Sequence, residues 1–363
     1  MLIAVLAAAC SGGAGGGAGS FRDRLELLPA SAVEDPNQVI VAMADLDRAA
    51  QLAGVERPED AGNVDAVIEY AQAVTGVPGP DAGGPASVAA LTPETAHVDR
   101  LVQVNEFDDE VGWSIADISW FAEAQAPPNT LMVAGGDFDE ARMSDAMGER
   151  QDGMWRLGGE DGEVNIEEVS AARPLGESLR LAVDDGRLIV GRSTPPVEDA
   201  LDGGARTLAD VGALRSLTQA MDDHDAYSAL FVAGGLFTID PAAVVLDGGD
   251  PDEALAQVQE QVLPQPFRGV AGGLTSADDQ PIVLLAYAHD TAEAAQANAD
   301  ALRRLVEQGR SLVSDQPWSN VFTVDDIGAE GTTVVARLGL GERGHPQLPY
   351  SLLMRRDSLV THR

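Results

Sequence analysis

The chain has 363 residues, 23 basic against 59 acidic side chains, a net charge of −36 at neutral pH and one cysteine. Every basic residue is an arginine, which excludes chemistries that need a lysine ammonium: P-loop phosphate binding, pyridoxal Schiff bases, the protein-kinase ion pair and serine–lysine hydrolysis. The acidic balance also argues against nucleic acid as a partner, because that binding rests on clustered basic residues that neutralise phosphates.

Residues 1–10 read MLIAVLAAAC, an apolar run too short to stay in a bilayer as a spanning helix, which takes about 20 residues. The run resembles the hydrophobic region and lipobox of a bacterial lipoprotein signal peptide, with Ala7, Ala8 and Ala9 before Cys10. Small side chains there fit beside the scissile bond, and the thiol becomes the thioether to diacylglycerol. The resemblance implies a signal peptide over 1–9, lipidation of Cys10 and a membrane partner reached through that anchor, at the outer face of the cell membrane. Residues 10–20 then form a Gly-rich tether (SGGAGGGAGS after the cysteine) with no capacity to fold. With Cys10 lipidated no free thiol remains, so disulfides, thiolate-bound zinc and thiol catalysis are excluded.

Residues 37–42 (NQVIVA) read as a strand, and Asp45 caps a helix that ends at Gly54. Val67, Ile68, Ala71 and Val74 follow helical spacing up to Gly76, and 76–85 (GVPGPDAGGP) is a loop. Residues 101–104 resume a strand. Ser114, with Asp117 three residues on, is the expected N-cap of a helix carrying Ile115, Ile118, Trp120 and Phe121, broken by Pro127 and Pro128. On that helix Trp120 and Phe121 pack inward, and Trp113 folds over them as a staple.

Residues 130–134 (TLMVA) form a strand, after which Asp137 and Glu140 resemble a capping box for a helix to Gly148. A similar unit recurs with a strand at 282–286, the pair Asp290 and Glu293, and a helix to Gly309. Each unit precedes a tryptophan, Trp155 or Trp318. The offset between the two acidic pairs, 290 − 137 = 153, suggests two related halves. Between them, Asp184-Asp185-Gly186 joins strands 179–183 and 187–190 in a hairpin. Thr194 with Pro195 and Pro196 opens a helix, a second spans 208–221, and 227–232 is a strand. A helix over 252–263, a hairpin over 321–338 and a final strand at 350–354 complete the reading. Hairpins outnumber parallel crossovers, so the expected class is α+β, with mostly antiparallel sheets, packed helices and two related halves. The expected domains are 21–172 and 173–363.

The chain after the tether also resembles secreted lipoproteins of high-GC Gram-positive bacteria. The resemblance rests on Gly112-Trp113-Ser114 with Asp117, Trp120 and Phe121, on Gly136-Asp137-Phe138-Asp139, and on the segments RLIVGRSTPPVEDAL and PWSNVFTVDD. It implies a location and no catalytic residue.

Candidate chemistry is sparse. Gly112-Trp113-Ser114-Ile115-Ala116 approximates a nucleophile elbow, but the acidic lead-in through Glu106 and Glu110 suits a helix cap better than a buried strand. Asp247, Asp250, Asp252 and Glu253, around a Gly-Gly turn, offer the oxygen-rich loop that calcium takes, without EF-hand spacing. Asp222, Asp223, His224 and Asp225 form a second acidic group. The histidines His97, His224, His289, His345 and His362 show no metal-ligand spacing, and His289 beside Asp290 is a turn residue or a base. Trp113, Trp120 and Phe121 concentrate aromatics in an aromatic-poor chain, as core or as a ligand surface. No glycine-rich dinucleotide fingerprint follows a strand, and no cofactor is expected. The resulting expectation is a lipid-anchored ligand- or partner-binding module of the cell envelope. A hydrolase with a dispersed Ser/His/carboxylate site and a structural spacer are the alternatives.

Overall fold

The structure, a computed structural model, describes residues 19–77, 87–98, 103–203, 206–235, 237–238 and 258–363. Its frame is one sheet of eleven strands, antiparallel at every ladder. At the centre, β1 (Ile40–Asp45) pairs with β7 (Ser228–Ala233). Outward from β1 run β2 (Ile118–Ala126), β3 (Asn129–Gly136), β6 (Arg187–Gly191), β5 (Leu179–Asp184) and the short β4 (Trp155–Leu157). Outward from β7 run β8 (Gly269–Ala277), β9 (Gln280–Ala288), β11 (Thr333–Leu340) and β10 (Phe322–Glu330).

Each set therefore lays down three strands in sequence and then folds a hairpin back so that its second strand lies inside its first. The two sets repeat one strand order on either side of the β1–β7 ladder. Among the described residues the position of β4 has no strand counterpart in the second set, where the buried Trp318 opens a 3-10 turn instead. The division expected at 172/173 falls between β4 and β5, inside this one sheet, and the strand order starts again at β7.

Alternation along the strands feeds a core on each face. Ala42 and Ala44 of β1, Phe121 of β2 and Leu230 and Val232 of β7 point to one face. There they meet α2 (Leu46–Ala53), α3 (Val64–Thr75), α4 (Val104–Val111), α8 (Ala292–Gln308) and α9 (Leu348–Arg355). Val41, Met43, Trp120, Val133 and Phe231 point to the other face. That face is covered by α1 (Phe21–Leu25), α6 (Thr194–Asp202) and α7 (Gly212–Asp223). The α+β class with antiparallel pairing and packed helices is as the hairpin count required.

Local signals explain most element ends. Asp45 caps α2 by accepting the Arg48 N–H at 2.9 Å, and Gly54 and Gly76 end α2 and α3 in left-handed conformation. Asp185 and Gly186, both at positive φ, make the two-residue turn between β5 and β6. Both expected acidic capping pairs are displaced, because the caps are Asp139 for α5 (Glu140–Met147) and Thr291 for α8. Asp137 and Asp290 face Arg57 and Arg268.

Three expectations fail. Ser114 is a cap, with Asp117 completing its box, but the turn it starts is a 3-10 turn of three residues (Ile115–Asp117), and the chain leaves it as β2. Its strand period, not a helical one, then sends Trp120 and Phe121 to opposite faces. Trp113 consequently packs on Phe107, ring centroids 4.9 Å apart, and not over Trp120. Of the strand expected at 101–104, residues 101–102 lie outside the described residues and Val104 begins α4. The strand expected at 350–354 is α9, since Pro349 sits in its first turn and Tyr350, Leu352 and Leu353 share its buried face. The helix expected over 252–263 is described only from residue 258, where 258–260 are helical.

Trp120 lies across the strand partner Gly135: a Cβ there would stand 2.3 Å from the indole nitrogen. The Arg24 guanidinium covers the ring from above, 5.3 Å from its centroid. Trp120 is 5% exposed, so Trp120→Ala is expected to cost roughly 3–5 kcal/mol in a denaturant melt. A change within about 0.5 kcal/mol, as exposed positions give, would contradict the core assignment.

Candidate functional site

The central strands leave a cleft of about 640 Å³ at one end of the sheet, where β1 begins and β7 ends. Asn37 and Gln38 come from the approach to β1, Gly234 from the exit of β7, Phe267 and Arg268 from the approach to β8, and His289 and Asp290 from the exit of β9. Gly212, Ala213 and Ser216 of α7 form the remaining wall. Gly234 is required here: its φ is +114°, and a Cβ would meet the Asn37 carbonyl oxygen at 2.7 Å. Its N–H donates to the Arg268 carbonyl at 3.0 Å, and the Arg268 N–H donates to Ala288 at 2.7 Å, so the ladder fixes the rim.

The charged part of the cleft is the Arg268–Asp290 pair. Arg268 Nε donates to both Asp290 oxygens at 2.9 and 3.0 Å, and Nη2 lies 2.8 Å from Oδ2. That hydrogen bonding raises the Arg268 pKa and lowers the Asp290 pKa from their ordinary values. Asn37 and Gln38 are held by Asp35, which accepts the Asn37 N–H at 2.9 Å and the Gln38 Nε2 at 3.2 Å.

His289 is buried beneath this rim, and its hydrogen bonds define its protonation. The Asn298 amide is oriented by the Gln265 backbone, whose N–H donates to Oδ1 at 2.9 Å and whose carbonyl accepts from Nδ2 at 2.8 Å. Nδ2 also donates to His289 Nε2 at 2.7 Å, which therefore bears no proton; Nδ1 carries it and donates to the Tyr287 carbonyl at 3.2 Å. Both ring nitrogens are committed to protein groups, as in a structural histidine. His362 joins it from the far end of the chain: Phe267 stands between the two rings, 6.2 Å from His289 and 4.8 Å from His362 by centroid.

The other nominated residues do not converge. Cys10, Asp247, Asp250, Asp252 and Glu253 lie outside the described residues. Ser114 is 2% exposed, and its hydroxyl accepts the Ala116 N–H at 3.2 Å. Asp222 accepts the Phe21 and Arg22 N–H groups at 2.7 and 3.1 Å and so seats α1 on the end of α7, while Asp223 accepts from Gln219. His97 contacts the Ala172 carbonyl at 3.2 Å, and His345 Nδ1 accepts the Gln347 N–H. Among the described residues no group of three or more histidines and carboxylates could hold a metal ion. A second depression, about 530 Å³, is more apolar and lies between Thr75, Leu91, Tyr350 and Met354.

Burial lowers the His289 pKa below its ordinary 6.5. The folded state thus favours the neutral ring, which contributes stability in full above pH 6.5 and loses it as pH falls toward the folded value. The difference in unfolding free energy between the wild type and His289→Gln is expected to be constant above about pH 7 and to narrow on acidification. Urea melts across that range check this; a pH-independent difference would contradict the neutral, doubly bonded ring.

No protein-family model and no curated protein matches the chain. Among solved structures, crystal form I of TP0453 is similar at 10% identity and a TM-score of 0.37, over 92% of this chain and 97% of that one. Form III is similar at 10% identity and a TM-score of 0.36, over 87% and 94% of the two chains.

Proposed function

We propose that the protein is a binding module held at the outer face of the cell membrane by a lipid on Cys10, and that the cleft between Asn37, Arg268 and Asp290 takes a small polar molecule. The observation that carries this reading is the cleft itself. Its volume, about 640 Å³, falls within the range of about 300–1,000 Å³ typical of small-molecule sites, and its rim is fixed by the central ladders. The ion pair and the two amide side chains present both signs of charge and both donors and acceptors. A ligand with an anionic and a cationic or donor group would match them.

Binding is favoured over hydrolysis because His289, the titratable ring nearest the cleft, is committed at both nitrogens. A general base needs a free nitrogen within reach of the substrate proton. The lipid anchor rests on the lipobox-like run before Cys10. One acyl chain holds a protein only marginally, whereas the diacylglycerol supplies two.

Two experiments test the two parts separately. Cys10→Ser is expected to move the protein from the membrane fraction to the soluble fraction, and unchanged membrane retention would contradict the anchor. A thermal-shift screen of small zwitterionic and polar compounds on the soluble domain should give hits that lose at least about tenfold in affinity in Arg268→Ala, about what one charge-assisted hydrogen bond contributes. Hits unaffected by that substitution would place binding elsewhere.

A further inference from the structure

Between β4 and β5 the chain makes an excursion over residues 158–178 that is firmly held at its base and apolar at its tip. Arg180, 2% exposed, reaches back from β5 to hold the base: Nε donates to Asp161 at 2.8 Å and Nη2 to the Gly159 carbonyl at 2.7 Å. Asp161 also accepts the Thr194 N–H at 2.8 Å. Farther out, Ala172 is fully buried, and Glu110 of α4 accepts its N–H at 3.0 Å and the Ser170 hydroxyl at 2.6 Å. The two limbs are paired: Asn165 N–H donates to Gly176 at 2.8 Å, Ser178 N–H donates to Glu163 at 3.0 Å, and Val164 stands opposite Glu177.

Despite this order, four large apolar side chains of the arm face solvent: Val164 at 58%, Ile166 at 79%, Val169 at 54% and Leu175 at 58% exposure. Ile166 opens a 3-10 turn (Ile166–Glu168) directly after the paired residues 164 and 165, and Leu175 lies in the turn before Gly176, the partner of Asn165, so Val164, Ile166 and Leu175 all stand at the outer end of the paired limbs. These exposed apolar side chains are therefore gathered at one preformed end of the arm, where an exposed apolar surface marks an interaction site. Its frame is acidic on balance: residues 158–178 contain Glu160, Asp161, Glu163, Glu167, Glu168 and Glu177 against the single Arg173, which lies 3.5 Å from Glu168 and 3.6 Å from Glu110.

We propose that the Val164, Ile166 and Leu175 patch docks a protein partner whose surface has an apolar centre and a basic rim. Charge selects that occupant. A second copy of this chain, at −36, would bring like charge against the acidic frame, and an anionic lipid surface would do the same. A basic rim would gain from the surrounding carboxylates while the apolar centre covers the exposed side chains.

The test places a photo-crosslinking p-benzoylphenylalanine at Ile166 of the full chain in its native cells, with the same replacement at the comparably exposed Val313 as control. The expected result is an adduct at 166, absent at 313, whose crosslinked partner peptide, identified by mass spectrometry, carries net positive charge. Its yield should fall at least about fivefold when Leu175→Ser is added, and again in permeabilised cells at about 0.5 M NaCl, where charge attraction is screened. The melting temperature of Leu175→Ser should match the wild type, so that the loss is not one of folding. An adduct with a second copy, with lipid or with an acidic peptide, equal labelling from 313, or no adduct would each overturn the proposal.

Discussion

Five residues of β1, Ile40 to Ala44, face Val232 to Ser228 of β7, and among the described residues this ladder alone turns two strand sets into one sheet. Every other ladder stays within its own set. Without it each set would expose a long edge of unpaired backbone groups lined by Val41, Met43, Leu230 and Phe231, a template for aggregation. With it, those side chains lie in the middle of cores on both faces, and the helices of the two sets share their contacts. The cleft follows from the same pairing, since it opens where β1 begins beside the exit of β7 and the approaches to β8 diverge around Gly234.

Buried polar side chains do much of the work of holding excursions onto this frame. Glu123 of β2 is fully buried and accepts the Glu94 and Thr95 N–H groups at 2.8 and 3.1 Å, which tethers the 94–96 turn to the sheet; burial raises its pKa. Asp357 accepts the Ser311 hydroxyl at 2.5 Å and the Leu312 N–H at 2.8 Å, joining the end of the chain to the loop after α8. Asn298 locks Gln265 and His289, and Arg180 holds the base of the 158–178 arm. Each is a desolvated group with at least one partner among the backbone atoms of a distant segment. Truncating any of them would leave those atoms unpaired, a larger cost than the loss of one average hydrogen bond.

What the sequence made legible was local. Asp45, Gly54, Gly76 and the Asp185-Gly186 turn each act through neighbours a few residues away, and each appears where its chemistry requires. The two-halves pattern was also visible, although through Asp137 and Asp290, which are not the caps; the true caps, Asp139 and Thr291, are offset by 152. Ser114 misled because its capping box is genuine but starts a single 3-10 turn, and the strand that follows hides its alternation because both faces of β2 are buried. The same double burial conceals β8, whose glycines approach α9 and α7 closely. The cleft could not be read at all, since five separated segments build it, and Arg268 acquires a role only when β8 and β9 pair.

If the β1–β7 ladder is the constraint on which the rest depends, its amides should open only when the whole sheet does. Native-state hydrogen exchange under increasing denaturant measures this directly. The amides of Val41, Met43, Ala229 and Phe231 are expected to exchange slowest, through the same global opening as those of β3 and β9. Two separate unfolding transitions, one for each strand set, with early exchange at β1 and β7, would contradict it.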